Sequence, residues 1–237
     1  MWFRLKQALE ARLQITQKAL RKWRRKRVSV ITPTLNPGPK LEATINSVLA
    51  QKAELFEYII VDGGSTDETL SMVRKYGKRI NWVSKKDRGV YDAMNKGIKM
   101  ARGDYLYFLG AGDHLRENIL AKVEKELPAE PLTFVYGNVY VVNTKSEYLG
   151  EFDDDKLAKL NICHQAIFYE RTIFDVIGKY DLRYSLLADY AFNLKCFADK
   201  RIRRIYLDEV IADFEGGGIS TGTDMNFIRD FVTNNQD

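Results

Sequence analysis

From Val28 to Leu127 the chain alternates, four times over, between a short apolar run and a stretch of helical periodicity. "VSVIT" is followed by turn residues "NPGP" and a helix carrying Leu41, Ile45, Val48 and Leu49 on one face. "YIIVD" precedes "STDETLSMVRKY", in which Ser65 stands three residues before Glu68, the spacing of a capping box. A strand "INWVS" then leads to a helix from about Tyr91 to Ala101, and "DYLYFL" leads to one near "ENILAKVEKEL". Strands separated by single helices require right-handed crossovers and a largely parallel sheet. Such sheets bind ligands beyond the carboxyl ends of their strands. Asp62 and the segment "GAGD" (110–113) both fall there.

After Pro131 the pattern loosens. "TFVYGNVYVV" and "RIRRIYLDEVIADF" read as longer strands, with helices near "RTIFDVI" and "DYAFNLKCFADK". No Pro-, Gly- or Ser-rich linker intervenes, so residues 28–237 are expected to form one mixed α/β domain. The 237 residues, 45% hydrophobic, suffice for one large core. Two cysteines without paired spacing, Cys163 and Cys196, argue against a disulfide or zinc framework and fit a reducing, cytoplasmic setting.

Charge is unevenly placed. Residues 1–27 carry +9 and the remainder −4. Within that segment Trp2, Leu5, Leu9, Leu13, Leu20 and Trp23 share one helical face, ringed by basic residues, which predicts an amphipathic helix lying on an anionic membrane surface. No apolar run approaches the ~18 residues of a membrane span, so the expected location is peripheral, at the inner face. Nothing elsewhere offers a basic groove with stacking aromatics, and nucleic acid is not an expected partner.

Six segments in order, "VSVITPTLN", "IIVDGGSTDET", "DRGVYDAMNKGIKMARGDYLYFLGAGDHL", "CHQAIFY", "LLADYAF" and "GGGIS", resemble an inverting glycosyltransferase of family 2 with the GT-A fold. The resemblance implies sugar transfer from a nucleotide-diphosphate donor, a UDP- or GDP-sugar, to an acceptor hydroxyl, with a divalent cation, Mn²⁺ or Mg²⁺. It also implies roles. Pro33, Thr34, Asn36 and Asp62 would line the nucleoside, while Asp87, Arg88, Asp92, Asn95 and Lys96 would add to the donor pocket. Gly112 would let the backbone approach the donor, and Asp113 would hold the metal. Asp189, at a helix start, would be the catalytic base, with Asp181 as runner-up. His164, Gln165 and Gly218 would lie on the acceptor side.

The chemistry is consistent with those residue types. A hard cation takes one or two carboxylates plus phosphate oxygens, and attack at an anomeric carbon needs a base for the acceptor hydroxyl. Asp92, Asn95 and Lys96 stand at i, i+3 and i+4, on one helical face. Two departures from the family pattern stand out: Gly110 and Gly112 occupy positions usually acidic, and Gly63 follows Asp62 where a second acid is common. The expected setting is assembly of a surface polysaccharide or glycolipid, with an acceptor glycan that a lipid could carry. The alternatives are a nucleotidyltransferase, whose glycine- and arginine-rich loop "TPTLNPGPK" lacks, and a non-catalytic sugar-nucleotide-binding scaffold.

Overall fold

The computed structural model describes residues 27–148, 150–216 and 222–233. The basic segment 1–26 and Gly218 lie outside them. Strands β1 (Val28–Thr34), β2 (Phe56–Asp62), β3 (Asn81–Ser84), β4 (Tyr105–Phe108), β5 (His114–Leu115), β6 (Thr133–Val141), β7 (Ser146–Tyr148), β8 (Ile167–Glu170) and β9 (Arg203–Phe214) form one sheet. Their order is β3-β2-β1-β4-β8-β6-β9-β5, with β7 paired to β6. The first four are parallel. Antiparallel pairing enters where β8 inserts between β4 and β6, and β6 pairs parallel with β9.

Strict alternation along the central strands divides the core. Val30, Tyr58, Ile60, Tyr105 and Tyr107 face one way, onto helices α1 (Lys40–Leu49) and α4 (Ile119–Glu126); α2 (Thr69–Lys75) precedes β3. Ile31, Ile59, Val61, Leu106 and Phe108 face the other, onto α3 (Val90–Met100) and α7 (Ala188–Ala198), which respectively precede and follow the shorter α5 (Asp154–Lys159) and α6 (Ile173–Val176) in the chain. Because both faces are covered, β1 and β2 are buried along their whole length, which is why they read as unbroken apolar runs. A last helix, α8 (Met225–Thr233), stacks Phe227 on Tyr190.

The crossover from β1 runs toward β2 and β3, and the one from β3 returns past β1 to β4, so the order reverses between β1 and β4. That switch point opens a crevice at the strand ends, between the loop after Thr34 and the GAGD segment. One expectation fails. Ser65 does not cap α2, which begins at Thr69 with the Asp67 carboxylate accepting from the Thr69 amide. Ser65 is already committed: its amide donates to Asp62 and its hydroxyl accepts from the Asn36 amide.

Candidate active site

A cavity of about 500 Å³ occupies the switch-point crevice. The β1 end contributes Pro33, Thr34 and Leu35; the segment after β4 contributes Gly110, Ala111 and Asp113; α3 contributes Val90, Tyr91 and Met94. His164, Gln165 and Asp189 close it from the second half of the chain. Thr34 is buried at the cavity wall, and among the described residues its hydroxyl has no hydrogen-bond partner.

Asp113 is 6% exposed. Its Oδ2 accepts from Gln165 Nε2 at 2.6 Å and its Oδ1 from the Glu215 amide at 3.1 Å. Burial lifts its carboxyl above the ordinary value, against the opposing pull of Gln165 and the nearby His164. The two glycines serve this placement. Gly112 has φ +111°, a conformation side-chain-bearing residues rarely adopt, and its amide donates to Thr44 Oγ1. A Cβ at Gly110 would stand 2.5 Å from Asp113 Oδ2.

Asp189 sits in the first turn of α7 and is also 6% exposed. Tyr91 donates to its Oδ1 at 2.7 Å and Asn161 Nδ2 to its Oδ2 at 3.1 Å, while His164 Nδ1 lies 3.6 Å from Oδ2. Burial works to raise its pKa, but His164 and Tyr91 outweigh burial and hold the carboxyl below its ordinary value. It is a carboxylate at neutral pH, facing a cavity. One short turn, His164–Ala166, therefore touches both acids: Gln165 holds Asp113 and His164 faces Asp189.

Other expected residues lie elsewhere. Asp62 is fully buried at the end of β2 and accepts from Gly64, Ser65 and Ser84. Burial would raise its pKa, yet those bonds keep it low; its carboxylate is spent on its own loop. Asn36, exposed with φ 48°, clips the β1 and β2 loops together through Ser65 and Thr66. Asp87 accepts from the Gly89 amide, and the exposed Arg88 donates its amide to Asp92. Asn95 is buried and binds the backbone of Tyr180 through both amide atoms. Lys96 pairs with Asp92 and donates to the carbonyls of Lys85 and Lys86. The face of α3 turned to the cavity is instead Val90, Tyr91 and Met94. Asp181 is engaged by Arg183 and does not line the cavity.

Tyr91, Asn161 and Glu215 were not anticipated from the sequence. Tyr91 had a local signal, one residue before Asp92 at a helix start; the other two depend on chain segments brought together only by folding.

Comparison with known proteins places this geometry. Over 210 residues the chain is 44% identical to the PGL/p-HBAD biosynthesis glycosyltransferase of Mycobacterium tuberculosis (strain ATCC 25177 / H37Ra), covering 85% of this chain and 82% of that protein. Staphylococcus aureus TarS 1–349, solved with UDP-GlcNAc, superposes with a TM-score of 0.66 at 20% identity, over 83% of this chain and 61% of that one. The mannosyltransferase PcManGT from Pyrobaculum calidifontis, solved with GDP-Man and Mn²⁺, gives 0.64 at 22% identity, over 82% and 58%. These two likenesses establish the fold as GT-A. The model for Glycosyl transferase family 2 matches residues 29–178, and with the 44% identical relative this shows that the chain belongs to glycosyltransferase family 2.

Proposed function

We propose that the chain transfers a sugar, with inversion, from a UDP- or GDP-sugar to an acceptor hydroxyl, with Asp189 as base, in assembly of a glycolipid. The observation that carries this reading is the single cavity in which a buried carboxylate at the β4 end and a second, ionised carboxylate at a helix start are held by neighbouring residues of one turn. Donor binding by the solved neighbours and the PGL/p-HBAD role of the 44% identical relative support it.

In this reading Asp189 takes the acceptor hydroxyl proton as that oxygen attacks the anomeric carbon, and the bond to the diphosphate breaks on the opposite side. Tyr91 and Asn161 fix both carboxylate oxygens, so the base is oriented before substrate arrives. Pro33, Thr34, Gly110 and Ala111, which line the same cavity, would stand beside the donor.

A divalent cation fits the residues present. Asp113 offers hard oxygen donors, and burial has made its charge costly in a way a cation would offset. Among the described residues no three His, Cys, Asp or Glu converge, so diphosphate and water would complete the coordination, as is usual for Mg²⁺. Such a cation would neutralise charge building on the leaving diphosphate. Residues 1–27 would hold the enzyme on an anionic membrane at the cytoplasmic face, beside a lipid-borne acceptor.

The test is a thermal-shift screen of UDP- and GDP-sugars with Mn²⁺, followed by NMR of the product linkage. A donor at 100 times its Kd stabilises the fold by about 2.7 kcal/mol. Stabilisation by one sugar nucleotide and an inverted anomeric centre are expected. No response to any donor, or retention of configuration, would overturn the reading.

A further inference from the structure

Glu215 stands just beyond β9, 102 residues from Asp113 in sequence, yet the sheet delivers it to the same place. His114 and Leu115 pair antiparallel with Asp213 and Ala212, so the residue after the GAGD turn is locked in register with the residue two before Glu215. The Glu215 amide then donates to Asp113 Oδ1 at 3.1 Å. Its carboxylate reaches back over the turn: a Cβ at Gly112 would lie 3.5 Å from Glu215 Oε2. Among the described residues that carboxylate pairs with Lys40 Nζ, at 3.0 Å, in a pair whose side chains are 39% (Glu215) and 64% (Lys40) exposed.

Resting on the metal-dependent reading above, we propose that Glu215 is the second carboxylate of the cation site. It supplies from the β9 end the charge that Gly110 and Gly112 do not supply from the β4 end. Three observations converge on this. The carboxylate stands over Gly112 without any side chain of that residue in the way. Its backbone is tied to the buried acid that would share the ion. Its present partner is a solvated lysine, an ion pair worth so little that a divalent cation can displace it. Displacement would also free the Lys40 ammonium, at the first turn of α1, for a phosphate oxygen. The thinned acidic segment is then a redistribution of ligands between two strand ends rather than a loss of the site.

The test uses the full chain and reads binding, not turnover. Mn²⁺ is titrated in the presence of UDP, and separately GDP, with free Mn²⁺ followed by electron paramagnetic resonance, for wild type, Glu215→Gln and Glu209→Gln. Glu209 is the matched control, an acid on β9 paired with Lys122 at 2.9 Å and equally exposed, at 40%. Exchanging an ionised ligand for a neutral amide should weaken Mn²⁺ by about tenfold in Glu215→Gln, with Glu209→Gln unchanged and both variants melting like wild type. Unchanged Mn²⁺ affinity in Glu215→Gln, or equal weakening in the control, overturns the assignment of Glu215 alone. Wild-type nucleotide binding that is indifferent to Mn²⁺ overturns the cation reading together with it.

Discussion

At Asp189 the decisive fact is a balance of opposing influences. Burial alone would push the carboxyl up, while His164, 3.6 Å away, and the Tyr91 hydroxyl hold it below its ordinary value. A carboxyl depressed in the fold contributes stability that is full above its unfolded pKa and is lost as pH falls through the folded one. His164→Asn removes the larger of the restraints. The acid limb of kcat/KM should therefore move to higher pH, and a pH–rate profile that does not move would deny His164 this role. Tyr91→Phe acts differently, deleting a hydroxyl that lies 2.7 Å from both Leu186 O and Asp189 Oδ1. Hydrogen bonds to charged groups contribute about 1.5–3 kcal/mol. Urea denaturation should show a loss of that order, with kcat falling more than KM rises.

At the scale of elements, α3 is pressed against the sheet by a glycine. A Cβ at Gly97 would stand 2.4 Å from Ile31 Cγ2 and 3.5 Å from Val61 Cγ2, in the fully buried core. Gly97→Ala should destabilise the fold, since overpacking costs about 1–3 kcal/mol and the better helix propensity of alanine returns about 1 kcal/mol at most; urea denaturation gives the sign directly. The alternation of β1 to β4 with α1 to α3 was legible because buried parallel strands and amphipathic helices leave strong periodic signals. The two-residue β5 and the hairpin strand β7 leave none. The insertion of β8 between β4 and β6 is a matter of topology, not of local pattern. The i, i+3, i+4 spacing of Asp92, Asn95 and Lys96 correctly put Asp92 and Lys96 side by side, but spacing cannot say which way a face turns. The cavity received Val90, Tyr91 and Met94, while Asn95 went into a buried bond with Tyr180. Asp113, Asp189, His164 and Gln165 were legible at strand and helix ends. Asn161 and Glu215 were not, because only the fold brings them near.

At the scale of the whole molecule, charge is unevenly divided along the chain. The +9 of residues 1–27 is set against −4 in the rest, and among the described residues no helix is long and apolar enough to cross a membrane. Deleting residues 1–26 should leave donor binding intact and abolish sedimentation with vesicles containing anionic lipid. Binding of the full chain should weaken as salt shortens the range of the attraction, and unchanged vesicle binding by the truncated protein would sink the membrane proposal. Both halves of the chain meet at one cavity, where in the proposed reaction Asp189 acts on the acceptor rather than on the donor. The measurement that reaches that role most directly is the single-turnover transfer rate of Asp189→Asn at saturating sugar nucleotide, with donor affinity determined alongside. The account predicts unchanged donor affinity and a transfer rate lower by about 10²–10⁴-fold, the usual loss when a general base is removed; transfer within a few-fold of wild type would contradict it.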